Sequence, residues 1–237
     1  MPKRKHSLEV RLLMHRLRPK AKLKVIGEEK LLRENEPFVM VCNHGMWHMP
    51  VAAILNLKVS FRPWIHDVML KKETCTLEIE KILEKIPELS DKMKNRIASF
   101  GGKLVSRILN DFDPIPVVRG CSREVIKTLQ ISIEALKNGD NLLIFPEMPR
   151  CSCADIDQEA KMAEQLRELY TGFAQLGKLY FRQSGKSLRF FPIYINREKE
   201  TLQIGDAVCF DAGNDAMAEK HRICGELYRR LKLMAEN

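Results

Sequence analysis

With 237 residues and 45% hydrophobic composition, the chain can bury one substantial core, which excludes a disordered or fibrous protein. No run approaches the roughly 20 apolar residues of a membrane-spanning helix, and the basic N-terminus lacks the apolar core of a signal peptide. Of the formal net charge of +9, residues 1–26 supply +8, nine Lys and Arg against Glu9, so the basic character belongs to one terminal segment. That segment interleaves its charges with Leu8, Val10, Leu12, Leu13, Met14 and Leu17. Such a pattern suits an amphipathic helix lying on an anionic membrane, or a solvated basic arm. It holds no aromatic residue for stacking on bases, so no nucleic-acid partner is expected. Seven cysteines are scattered through the chain. Only Cys151 and Cys153 lie close together, and no second pair or His-x3-His completes a zinc set. Free thiols, no metal and a reducing, cytoplasmic compartment are expected.

In chain order, Leu23 to Ile26 reads as a short edge strand and Gly27 to Glu36 as a polar turn. Phe38 to Cys42 is an apolar run without helical spacing, which predicts a strand buried on both faces. It stops at Asn43-His44. Pro50 suits the first turn of the following helix, Val51 to Leu57. A second strand is predicted over Lys58 to Ile65. Ile79, Ile82, Leu83 and Ile86 predict a helix over about Thr76 to Ile86. A further helix runs from Asp91 to about Phe112, loosened by Gly101-Gly102, with Met93, Ile97, Leu104 and Ile108 toward the core.

Pro114 to Val118 is extended. Ser122 can cap the next helix, which places Ile126, Leu129, Ile133 and Leu136 on one face, and Gly139 ends it. Asn141 to Phe145 is a buried strand. Polar Cys151 to Glu159 precedes a long helix through Gly177. Arg189 to Ile195 is a strand, and Thr201 to Phe210 a further strand or hairpin arm containing Gly205-Asp206. A last helix from about Ala216 turns Met217, Cys224, Leu227, Leu231 and Met234 inward. This alternation predicts a single α/β domain over residues 23–237, with a mixed, largely parallel sheet flanked by helices. Residues 1–22 are expected to form a basic amphipathic membrane-contact segment.

Polar residues follow three of these strands: Asn43-His44, Arg119, and Glu147 with Arg150. The crevice beyond strand ends is where open α/β sheets bind ligands, and an imidazole there can take a proton from an alcohol. Taken singly, His44 reads as a loop cap, Arg119 as a surface ion-pair partner and Glu147 as a helix cap.

Their order and spacing resemble the glycerolipid acyltransferase family, which includes glycerol-3-phosphate and 1-acylglycerol-3-phosphate acyltransferases. Four blocks carry the resemblance, which covers roughly residues 23 to 212. They are Asn43-His44-Gly45-Met46-Trp47-His48-Met49-Pro50, then Ile115-Pro116-Val117-Val118-Arg119-Gly120, then Phe145-Pro146-Glu147-Met148-Pro149-Arg150, and Phe191-Pro192-Ile193-Tyr194-Ile195. The resemblance implies that His44 is the general base on a lipid hydroxyl. It implies that Arg119 holds the phosphate of the acceptor, and that Glu147 and Arg150 order the acceptor pocket. The hydroxyl would attack a thioester, on acyl-CoA or acyl carrier protein, with no cofactor. The substrate would be a phospholipid or lysophospholipid, and the location cytoplasmic, peripheral on the inner membrane face. Apolar surface near Trp47 and Trp64 can accept the acyl chain or serve as packing.

Two positions depart from the family pattern. Met49 stands where the family has the Asp that fixes the histidine tautomer, and Met148 replaces a Gly. His48 and Asp67 are the candidate orienting groups in its place. A non-catalytic lipid- or acyl-carrier-binding protein on the same fold is the alternative.

Overall fold

The computed structural model of the chain describes residues 7–17, 19, 21–43, 48–84, 86–118, 122–146 and 171–236, with the backbone alone at 48, 49, 122 and 171. Its first elements are α1 (Leu8–Leu17), β1 (Lys24–Ile26), α2 (Glu28–Leu32), β2 (Phe38–Cys42), α3 (His48–Asn56) and β3 (Phe61–His66). Then come α4 (Lys72–Glu84), α5 (Asp91–Asp111), β4 (Ile115–Val117), α6 (Ser122–Lys137) and β5 (Asn141–Ile144). After residue 170 come a 3-10 turn (Thr171–Ala174), α7 (Gln175–Ser184), β6 (Arg189–Asn196), β7 (Thr201–Ile204), β8 (Val208–Cys209) and α8 (Ala216–Glu236).

The described strands form one eight-stranded sheet in the order β1-β7-β6-β2-β5-β3-β4, with β8 paired to β6. Every pairing from β6 across to β4 is parallel, whereas β7 and β8 run antiparallel to β6. The fold is therefore the expected α/β domain with a mixed, largely parallel sheet.

Alternate residues of β2 supply two cores, one on each face. Val39 and Val41 pack with Leu142, Ile144 and Phe190 under α6, α7 and α8. Phe38, Met40 and Cys42 pack with Leu143, Phe191 and Ile193 under α3 and α1. Phe38 meets Phe191 edge to face at 5.2 Å. Burial on both faces is why β2 reads as an unbroken apolar run. The inward side of α1 shares the second core. Val10 is buried in it and Met14 packs against it, while Leu8 and Leu12 remain exposed.

Several local expectations change. Gly27 to Glu36 is not turn alone, since α2 occupies Glu28–Leu32 after Gly27 turns the chain at φ +82°. Helix α3 opens at His48, two residues before Pro50, and β3 spans Phe61–His66. Helix α5 is continuous through Gly101-Gly102. An added Cβ on Gly102 would lie 2.8 Å from the Thr76 Cα of α4, so this glycine permits close helix contact and loosens nothing. The side of α5 that is buried carries the small residues Ala98, Gly102 and Ser106, while Met93 and Ile97 are exposed.

In α6, Leu129, Ile133 and Leu136 are buried but Ile126 is exposed, and Val125 packs against the core in its stead. Gly139 closes α6 as expected, at φ +85°. Its N–H donates to Leu136 O (3.0 Å) and Asp140 N–H to Ala135 O (3.0 Å), the paired bonds of a Schellman ending. Gly177 does not end a helix. It lies inside α7, where a Cβ would press on the Phe210 ring at 2.6 Å, and Gly185 at φ +70° ends that helix. In α8, Cys224, Leu227 and Leu231 are buried, Met217 is exposed, and Glu219 takes an inward position.

Candidate active site

The parallel pairing of β2, β5, β3 and β4 brings their C-terminal ends to one edge of the sheet. The register aligns Val41 with Ile144, Pro63 with Leu143, and His66 with Val117. The last described residues there are Asn43 after β2, Pro146 after β5 and Val118 after β4. His44, Glu147 and Arg119 follow these in the chain and lie, with Arg150, Trp47 and Met148, outside the described residues.

Asn43 is the best-defined polar group at this edge. It is 2% exposed. Its Oδ1 accepts the Ile195 N–H at 2.9 Å and its Nδ2 donates to Ile195 O at 3.2 Å. Its own N–H donates to Ile193 O at 3.3 Å, and the Cys42 thiol lies 3.7 Å from Oδ1. The ladder between β2 and β6 ends at Cys42 and Ile193. The Asn43 amide carries it one step further, satisfying both backbone groups of buried Ile195. Only an amide offers donor and acceptor together in this way. The sequence signal was a polar residue closing an apolar strand. Its pairing with β6 was not legible there.

Pro192 sits within β6, opposite Val41. Its carbonyl accepts the Gly205 N–H at 2.9 Å, on the side away from β2. On that side β7 stops at Ile204 and β8 begins at Val208. A proline, with no N–H to donate, fits opposite that break. Gly205 fits the same place, since a Cβ there would lie 2.8 Å from Pro192 Cγ.

Neighbouring elements are fixed by hydroxyls. Thr128 Oγ1 of α6 donates to Pro116 O of β4 at 2.8 Å. The Trp64 indole N–H of β3 donates to Ser132 Oγ at 2.9 Å, and Trp64 packs against the first core. Trp64 is thus engaged as packing.

Of the two candidate orienting groups, His48 opens α3, and Met49 follows it in the first turn. That turn carries no acidic residue. Asp67 follows β3, and its carboxylate lies 3.4 Å from Nδ1 of its neighbour His66. The same Nδ1 is 3.4 Å from the Val68 N–H. β5 lies between β2 and β3, so Asp67 stands about 10 Å from the line of β2. The structure brings the ends of β2, β5, β3 and β4 to one edge, with Asp67 two strand spacings from β2.

Among the described residues Cys75, Cys209 and Cys224 are free thiols. Burial pushes Cys224 up to about 11 and raises Cys75 as well, so neither is a thiolate nucleophile at neutral pH. Among the described residues no group of three or more His, Cys, Asp or Glu is placed to hold a metal ion. No described helix is long and apolar enough to cross a membrane.

No family model matches the chain, and no curated protein matches it. Among solved structures it is similar to the crystal structure of the 1-acyl-sn-glycerophosphate (LPA) acyltransferase PlsC from Thermotoga maritima. The identity is 17% and the TM-score 0.49, over 97% of this chain and 79% of that one.

Proposed function

We propose that the chain is an acyltransferase that moves a fatty acyl group from a thioester, acyl-CoA or acyl carrier protein, to a hydroxyl of a phosphorylated glycerolipid acceptor. His44 is the general base and Arg119 the phosphate ligand. Glu147 and Arg150 order the acceptor pocket. The observation that carries this reading is the shared sheet edge: Asn43, Val118 and Pro146, the residues just before His44, Arg119 and Glu147, all leave parallel strands there. Three strand spacings separate β2 from β4, about 14 Å. That distance suits an acceptor whose hydroxyl meets the histidine while its phosphate meets the guanidinium, which binds phosphate with paired hydrogen bonds.

A non-catalytic lipid- or acyl-carrier-binding protein is the second reading. It is favoured by the first turn of α3, where Met49 stands and no acidic residue is present. Loss of the analogous aspartate in a serine-protease triad costs about 10⁴ in rate. We also assign residues 1–22 to contact with an anionic membrane on its cytoplasmic face, through the basic residues and exposed Leu8 and Leu12 of α1.

Thioester release by the purified chain, with lysophosphatidate or glycerol 3-phosphate as acceptor, tests the proposal. Release abolished by His44→Ala, and raised by Met49→Asp in the native background, supports an acyltransferase working without its carboxylate. Release independent of His44 with every lipid acceptor overturns it and leaves the binding reading.

A further inference from the structure

Helices α4 and α5 form an antiparallel hairpin, with Gly102 against Thr76, Gly101 against Ile79, and Asn110 Nδ2 donating to Leu70 O at 2.8 Å. Residues recurring three and four apart divide α5 into three stripes. Ala98, Gly102 and Ser106 are buried. About 180° round the helix lies an apolar stripe of Met93, Ile97, Phe100, Leu104 and Ile108. Near the C-terminal end this stripe is used, since Leu104 is half-buried and Ile108 packs on the second core. Toward the N-terminal end it is bare: Met93 is 50% exposed, Ile97 42% and Phe100 70%.

The charges follow the same geometry. Lys92, Arg96 and Lys103 run along one flank of the bare stripe and Lys94 lies on the other. Acidic residues stand only at the ends of α5, Asp91 and Asp111. With Lys72 of α4, the flank of Lys92, Arg96 and Lys103 lines an open groove of about 520 Å³ that also includes Asn95, Ser99 and Phe100. Among the described residues, none of these four cations is paired with a carboxylate. The amino end of α1 lies against the other end of α5, through Arg107–Glu9 at 2.7 Å and the Ser7 N–H to Asp111 Oδ1 at 3.1 Å.

We propose that this face of α5 seats on a bilayer rich in anionic phospholipid, with Met93, Ile97 and Phe100 among the acyl chains and Lys72, Lys92, Arg96 and Lys103 on the lipid phosphates. An apolar crest flanked by cations is the pattern of an interfacial helix. The crest is a single convex helix, which a fluid surface can envelop. A folded acidic protein would need a matching furrow. This surface is separate from the basic N-terminal segment, and its test needs no turnover.

The experiment is flotation of the full chain with phosphatidylcholine vesicles, with and without one third phosphatidylglycerol. Each cation near an anionic leaflet contributes about a fivefold factor. The triple variant Lys92→Gln, Arg96→Gln, Lys103→Gln therefore loses on the order of 100-fold in partition. The double variant Ile97→Ser, Phe100→Ser loses at least about tenfold. All these side chains are exposed, and an unchanged Tm certifies the fold. In Phe100→Trp, added tryptophan emission shifts to the blue on anionic vesicles and is quenched by brominated acyl chains. Undiminished flotation of both multiple variants overturns the proposal. So does loss confined to Arg11→Gln, Arg16→Gln in α1, which would place the contact on the N-terminal segment alone. Charge-dependent flotation with no spectral shift at position 100 overturns it too, and identifies a purely electrostatic face of the kind an acidic protein uses.

Discussion

Replacing Asn43 by alanine removes one side chain and orphans two backbone groups. The Ile195 N–H and C=O each lose their bond to the amide, 2.9 and 3.2 Å long, at a residue only 1% exposed. A buried backbone group left without a partner costs about 1–3 kcal/mol, so the pair sets a loss of about 3–4 kcal/mol. For a chain of this length that lowers Tm by about 10 °C. Asn43→Asp separates the two bonds. Its carboxylate keeps an acceptor for the Ile195 N–H but faces the Ile195 carbonyl with a second acceptor. Burial raises the pKa of the introduced carboxyl, so at neutral pH this variant is at least as unstable as Asn43→Ala. As pH falls through that raised pKa the carboxyl gains a proton it can donate, and the deficit relative to native protein narrows. Circular dichroism melts of the three proteins at several pH values read both effects. A Tm for Asn43→Ala within about 2 °C of native would refute the pin.

Two glycines in helices should respond in opposite directions. Gly102→Ala lowers Tm despite its better helix propensity, because the new methyl meets Thr76 at Oγ1 and Cα. Gly225→Ala in α8, with nothing within 4 Å, raises Tm by about 2–4 °C through propensity alone. Glu219 sets an acid limit. Burial alone would raise its carboxyl, but Arg222, Asn214 and the Asp211 N–H together hold it below the ordinary 4.5. Its contribution is therefore full above the unfolded value and is lost as pH falls through the lower folded value. Urea midpoints should fall less steeply with acidification in Glu219→Gln than in native protein, and equal slopes would refute that role.

Residues whose neighbours are local were legible in the sequence. The apolar run of β2 and the capped end of α6 at Gly139 follow from nearby chain chemistry. The inward face of α5 was not. Its apolar residues have helical spacing, but so do its small ones, and the latter meet α4 because only they allow the backbones to approach. Periodicity finds stripes and does not say which one the partner covers. The same ambiguity misplaced Met217 and Ile126, which are exposed, while Glu219 is buried with its charge matched by Arg222. At the candidate site, the motif marked the strand ends correctly. It gave Asn43 no task, because that task is fixed by Ile195, 152 residues away.

The spacing of the sheet also bears on how His44 works in the proposed reaction. Asp67 follows β3, two strands from β2, and its carboxylate lies 3.4 Å from Nδ1 of His66 next to it in the chain. Backbones about 10 Å apart lie within the combined reach of an aspartate and a histidine side chain, so Asp67 stays a candidate partner, which loss of thioester release in Asp67→Asn would support. Position 49 is different. It lies in the first turn of α3, five residues after His44, where a carboxylate would sit at the positive end of the helix. With methionine there, no acid in that turn can hold one tautomer of the imidazole. What remains fixed at this edge is Asn43, which anchors the chain one residue before His44. On the proposed reading the fold sets where the histidine's backbone begins, and no carboxylate in the first turn of α3 sets its ring. Met49→Asp restores the second without touching the first, and for that reason separates a weak catalyst from a binding protein.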